Sequence, residues 1–151
     1  GFKFDRKTAE MAAKYQVACC LMHNRNEAVY DDFLEDMVKD MEECVAIARA
    51  AGVPDDKIML DPGVGFGKTY EMNLEAINHV DILHRLGFPI LLGTSRKSVI
   101  GNTLNLPADQ RVEGTLATTV IGVMKGCSFV RVHDVKENKR IIQMTKAILA
   151  H

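Results

Sequence analysis

The residues best suited to chemistry fall into four groups, each at or just beyond the end of an apolar run. His23 follows Val17-Ala18-Cys19-Cys20-Leu21-Met22. Asp61 follows Ile58-Met59-Leu60 and opens the stretch Asp61-Pro62-Gly63-Val64-Gly65-Phe66-Gly67-Lys68-Thr69. Ser95 and Lys97 stand in Gly93-Thr94-Ser95-Arg96-Lys97-Ser98, after Pro89-Ile90-Leu91-Leu92. Arg131 and His133 close the run Ser128-Phe129-Val130-Arg131-Val132-His133. An acid at the carboxyl end of a buried parallel strand reads as a ligand contact. The competing reading of Asp61 is a cap on the amides of its own loop, and spacing alone leaves both open. Arg131 and His133 are two apart on an expected strand, so they share a face. Their pairing points to an anion, because guanidinium matches phosphate oxygens bidentately. Arg96 reads as a surface or structural pairing residue, and Lys97 as the loop's functional cation. Asn24 and Arg25 fall in a loop expected to be mobile and receive no role.

The glycine-rich stretch resembles two familiar loops and matches neither. A phosphate-binding P-loop places four residues between its first glycine and Gly-Lys-Ser/Thr, whereas three separate Gly63 from Gly67-Lys68-Thr69. The dinucleotide fingerprint is G-x-G-x-x-G, and Gly63, Gly65 and Gly67 give G-x-G-x-G. The three glycines are expected to let backbone amides approach a ligand.

The elements that must position these groups alternate. A short helix is expected over 5–15, then a strand over 17–22 that is apolar throughout and so buried on both faces. An amphipathic helix follows from Asp31, with Phe33, Leu34, Met37, Val38, Met41, Val45 and Ala48 at three-and-four spacing, stopped by Gly52 and Pro54. A strand over 57–60 leads into the glycine-rich loop. One helix is expected over 71–86, with Leu74, Ile77, Leu83 and Leu86 inward. After the strand at 89–92 comes a loop with Asn102, Asn105 and Pro107, then a helix over 110–125. The strand at 128–133 precedes a last helix, with Asp134 and Glu137 spaced as a capping box and Ile141, Ile142, Thr145, Ile148 and Leu149 as its buried stripe. Four strand–helix repeats at intervals of roughly 32 to 40 residues predict βα units with parallel strands and right-handed crossovers. All strand ends of such a sheet share one rim, which gathers the chemical residues into one site.

Composition narrows the function classes. A chain of 151 residues with 47% hydrophobic and 26% charged residues suits one soluble domain. A formal charge of −1 gives no electrostatic case for nucleic acid or an anionic membrane. No apolar run approaches a membrane span, and Gly1-Phe2-Lys3-Phe4 lacks a signal-peptide pattern. The 4 cysteines form no C-x-x-C pair and read as small core residues of a reduced, cytoplasmic protein. His79 and His84 are expected on different helix faces, so zinc is not expected.

At these residues the sequence resembles the dihydropteroate synthase family. The resemblance is carried by Leu60 to Lys68, Leu92 to Ser98, Arg111 to Ala117 and Arg131 to Val135, with Leu21-Met22-His23 fitting the fifth strand. It implies an α/β fold, the C-terminal half (four βα units) of a (βα)8 TIM barrel. It implies an alkyl transferase of folate biosynthesis that joins a pterin methyl diphosphate to p-aminobenzoate, releases diphosphate, and is the target of sulfonamides. Carried over residue by residue, Asp61 would bind the amino-pyrimidine edge of the pterin and Lys97 its carbonyl and ring nitrogen. Ser95 and Phe66 would lie towards p-aminobenzoate. Arg131 would stack on the pterin and, with His133, hold the diphosphate, and Gly65 and Gly93 would line the pterin site. Magnesium (Mg2+) on the diphosphate belongs to the family picture, with no ligand for it visible in this sequence.

The family's barrel has eight strands, and the motifs here match its last four. The first-strand asparagine, the two mobile loops, the third-strand aspartate and the fourth-strand asparagine have no counterpart. The chain alone is therefore expected to be inactive and, having an open sheet edge and apolar face, to form a homo-oligomer. Two other readings stand beside this one. One is a pterin-binding methyltransferase domain using methyltetrahydrofolate, and the other a non-catalytic, self-assembling half-barrel.

Overall fold

The four apolar runs form parallel strands in sequential order. The computed structural model describes residues 6–151; the expectations made for residues 1–5 lie outside them. Strand β1 (Cys19–Met22) pairs in parallel with β2 (Ile58–Asp61), in the register Cys19 to Ile58 and Met22 to Asp61. Strand β3 (Leu91–Leu92) pairs in parallel with β4 (Phe129–Val130). A parallel bridge from Leu60 to Ile90, with the Leu60 amide donating to Pro89 O at 2.9 Å, joins the two pairs into the order β1-β2-β3-β4.

Helices cover one face only. They are α1 (Arg6–Tyr15), α2 (Phe33–Ala50), α3 (Tyr70–Asn78), α4 (Ser98–Leu104), α5 (Val112–Met124) and α6 (Val135–Leu149). The core lies between them and the sheet: Leu21, Ile58, Leu60, Ile90 and Leu92 and, from α2, Met37, Met41, Cys44, Val45 and Ala48 are buried in one apolar cluster. The opposite sheet face carries Cys20, Met59, Leu91 and Phe129 by strand alternation, and there Phe129 is 48% exposed. Cys20, read as a core residue, is exposed for this reason. Helix α2 begins at Asp32, whose carboxylate accepts the Glu35 amide, and ends before Gly52 at φ +92°. Among the described residues, no helix is long and apolar enough to cross a membrane.

Six expectations need correction. The helix over 71–86 is two pieces, α3 and a 3₁₀ segment over Val80–Leu86. The tighter winding stacks Val80 and Leu83, three apart, on the core. Leu74 is exposed because Asn73 takes the buried face of α3, where it accepts the Gly65 amide. The loop after β3 contains α4, which ends at Asn105 in the left-handed region that asparagine tolerates. Strand β4 stops at Val130, so Arg131 and His133 leave the strand rather than sharing its face. No capping box forms at Asp134, whose carboxylate is taken by Arg96. On α6 the buried polar residues Asn138 and Thr145 face inward, while Ile148 and Leu149 are exposed.

Candidate active site

The four strand ends bring their polar residues to one rim, as the alternation requires. Asp61, the last residue of β2, is 1% exposed. Its Oδ1 accepts the Gly63 amide at 2.8 Å, so one oxygen caps the loop. Its Oδ2 is buried and has no hydrogen-bond partner. The capping reading of Asp61 is met by Oδ1, and Oδ2 is left without a donor. Arg131 Nη2 lies 3.5 Å from Oδ2 as an ion pair without a hydrogen bond. Burial raises the Asp61 carboxyl above the ordinary carboxylate range, opposed by the Gly63 amide and by Lys97, Arg131 and Lys68. A buried acceptor lacking a donor costs about 1–3 kcal/mol, and here it is held at the mouth of a rim lined with cations.

The glycine loop is folded against the protein rather than opened to a ligand. A Cβ on Gly63 would sit 1.9 Å from His23 O, and one on Gly67 2.2 Å from Arg25 O. Those glycines, at φ +66° and +57°, let the loop lie directly on the end of β1 and the segment after it. The Gly65 amide is spent on Asn73 Oδ1 at 2.6 Å, which corrects the expectation that it faces a ligand. Gly65 instead lies beside the Lys97 stem.

Lys97 crosses from the β3 loop to this tip. Its Nζ donates to Val64 O and stands 4.9 Å from the centroid of the half-exposed Phe66 ring. Burial lowers its pKa, opposed by the attraction of Asp61. Gly93 makes room for Arg131: a Cβ there would fall 2.9 Å from Arg131 Nη2, in the path of the guanidinium towards Asp61. Ser95 Oγ accepts the His133 amide at 3.1 Å and bonds His133 Nδ1 at 2.8 Å, which fixes the imidazole. Gly93, Ser95, Lys97, Arg131, Val132 and His133 line a cavity of about 180 Å³. All eight site residues read from the sequence therefore lie on the rim, with Asp61, Gly65 and Phe66 beside that cavity.

Arg96, as expected, is structural. It sits at φ +60°, and its guanidinium holds Asp134 through Nη2 at 2.8 Å and Nε at 3.3 Å. Arg25, in the loop after β1, bonds Asp40 at 2.6 Å and Val29 O at 2.6 Å and lies over the Tyr30 ring. Sequence reasoning missed Lys68, Asp40 and Asn73 and gave His23 only a place at a strand end. Lys68 bonds His23 Nδ1, Gly63 O and Phe66 O. Its signal was present, since a lysine follows the last glycine, yet it was weighed only against the P-loop pattern.

Magnesium finds no carboxylate set here. Asp134, adjacent to His133, is committed to Arg96, and no group of three or more His, Cys, Asp or Glu residues among the described residues could hold a metal ion. The described residues of this chain do not fit the ion.

Sequential parallel βα units with a buried acid and a cationic cavity on the carboxyl rim define part of an α/β barrel. The sequence matches the pterin binding enzyme family over residues 1–133, and the chain belongs to that family. It is 60% identical over 150 residues to the dihydropteroate synthase of Clostridium beijerinckii, covering 99% of this chain and 56% of that protein. It is 51% identical over 149 residues to the dihydropteroate synthase of Bacillus subtilis, covering 99% and 52%. The fold superposes with a TM-score of 0.95 on a crystal structure of Clostridium difficile dihydropteroate synthase in the presence of pteroic acid, at 46% identity, over 98% of this chain and 57% of that one. The chain spans about half the length of the relatives it matches.

Proposed function

We propose that this chain supplies the pterin side of a dihydropteroate synthase active site. The observation that carries the reading is Asp61 Oδ2, a buried acceptor with no donor of its own. An amino-pyrimidine edge presents two parallel N–H groups, which such a carboxylate accepts. Lys97 donates one N–H to Val64 O and retains two for the pterin carbonyl and ring nitrogen. Arg131 lies over the ring and, with His133, holds the diphosphate at the cavity they line with Ser95. Ser95 and Phe66 face p-aminobenzoate. The methylene C–O bond breaks, diphosphate leaves with the electron pair, and the arylamine nitrogen attacks the cationic methylene and loses its proton. Cations spread around the leaving group stabilise the charge, and the rest is positioning. Sulfonamides mimicking p-aminobenzoate would compete. Four free thiols support a reducing, cytoplasmic setting.

The test is an assay of the intact protein with pterin diphosphate and p-aminobenzoate, reading dihydropteroate and diphosphate together. Stoichiometric release of both supports the reading. Turnover of methyltetrahydrofolate with a corrinoid acceptor, and none of the condensation, would replace it with the methyltransferase reading. A self-assembling half-barrel is favoured for the isolated chain by its uncovered sheet face, where Cys20 and Phe129 are exposed.

A further inference from the structure

Lys68 differs from the other rim cations in having nothing left to offer a ligand. Its ammonium carries three hydrogens, and three acceptors take them: His23 Nδ1 at 2.8 Å, Gly63 O at 3.0 Å and Phe66 O at 3.0 Å. The two carbonyls belong to opposite ends of the turn closed by the Phe66 amide on Gly63 O, at 3.0 Å. One side chain therefore spans the turn whose first amide, Gly63 N–H, fixes Asp61 Oδ1.

Behind Lys68 the network continues into α2. Nδ1 of His23 accepts from Lys68, so the hydrogen-bond pattern leaves Nε2–H to donate to Asp40 Oδ2 at 3.0 Å, and Arg25 Nε donates to the same oxygen at 2.6 Å. His23 is 1% exposed, and burial with the nearby Lys68 charge lowers its pKa to about 4, which keeps it a neutral acceptor at physiological pH. Tyr30 OH adds a bond to Gly67 O at 2.7 Å. The loop carbonyls of residues 63, 66 and 67 are thus all held from the α2 side, while Lys97 holds Val64 O from the cavity side.

We propose that Lys68 is a positioning residue for the pterin subsite: it fixes the turn over residues 63–66 from behind, and through Gly63 it orients Asp61 without touching substrate. The inference rests on the pterin reading above and deepens it. The geometry that carries it is the complete use of the ammonium on two carbonyls of one turn and on a buried, Asp40-anchored imidazole. Loss of the clamp frees the turn, and the Asp61 carboxylate with it, to rotate away from the ligand edge.

The experiment uses the intact protein and three readouts. These are calorimetric affinity for a pterin lacking the diphosphate, KM for p-aminobenzoate at saturating pterin diphosphate, and thermal unfolding. Lys68→Met removes all three donors at similar side-chain length. The expected result is pterin affinity weakened at least tenfold in folded protein, with a smaller rise in KM for p-aminobenzoate, since Phe66 lies in the same turn. Lys68→Arg, which keeps a charged donor, recovers part of the loss. A folded Lys68→Met that binds pterin within threefold of the parent overturns the proposal, as does an equal loss for both substrates. If Lys68→Met does not fold, Lys68→Leu, which also lacks donors, takes its place and the same limits apply. A parent that fails to bind pterin would instead overturn the functional reading itself, so the two failures are distinguishable.

Discussion

Replacing Asp61 by asparagine separates binding from stability more sharply than any other single change. The substitution keeps shape and keeps an oxygen to accept the Gly63 amide at 2.8 Å. It removes the negative charge and turns the unpartnered Oδ2 position into an N–H2 that faces Arg131. A ligand edge that donates to a buried carboxylate loses a charge-assisted pair, which costs about 2–4 kcal/mol, or roughly 30- to 1,000-fold in affinity. Stability moves the other way. The folded carboxyl has a raised pKa, so its contribution to stability is present below the unfolded value and is lost as pH rises through the folded one. Holding the carboxylate charge in the folded state is therefore a cost, and Asp61→Asn relieves it. Calorimetry with a pterin lacking the diphosphate, run beside thermal unfolding at pH 7, reads both. The expected variant binds at least 30-fold more weakly (the low end of the same estimate) and melts no lower than the parent. Binding within threefold would refute the ligand role. A clear drop in melting temperature would refute the claim that the carboxylate is kept at the expense of stability.

Three further outcomes follow from the same geometry. Substituting Arg131 or His133 should weaken a diphosphate-bearing pterin far more than one without it, and equal losses in calorimetry would move both residues from anion binding to architecture. His23, with a folded pKa of about 4 against an ordinary 6.5, contributes stability that is complete above pH 6.5 and disappears as pH falls towards 4, up to roughly 3 kcal/mol. Denaturant unfolding across pH 4–7 should show that slope in the parent and a flatter one in His23→Gln; equal slopes would remove the histidine from the account. The isolated chain should sediment as a dimer or larger and show no condensation activity, whereas a compact monomer or full turnover would contradict the reading of its open sheet face.

The sequence made the strand ends legible because chemistry and periodicity coincided there. Each apolar run ended in a polar residue, and parallel topology does the rest, so Asp61, Ser95, Lys97, Arg131 and His133 could be gathered before any coordinates. What stayed hidden was how the loops lie on one another. Gly63 and Gly67 look like ligand-facing glycines in one dimension, but their clearance is used by His23 O and Arg25 O, which are some 40 residues away in sequence. Lys68 belongs to a different βα unit from His23 and Asp40, and nothing in their local spacing links the three. Helix α4 was masked by two asparagines, of which Asn102 lies within it and Asn105 ends it. Asn73 reads as a surface residue of α3 until its amide partner at Gly65 is known. On α6 the stripe at 148 and 149 follows helical spacing but both side chains are exposed, so periodicity overstates its burial.

The central claim is that the unpartnered oxygen of Asp61 is an acceptor for the pterin. A crystal structure of the intact protein with a pterin bound tests it most directly. The account predicts ring N–H donors within hydrogen-bond distance of Asp61 Oδ2, with Lys97 on the carbonyl side and Arg131 over the ring. A pterin seated elsewhere, or an Asp61 Oδ2 still without a donor in the complex, would contradict it.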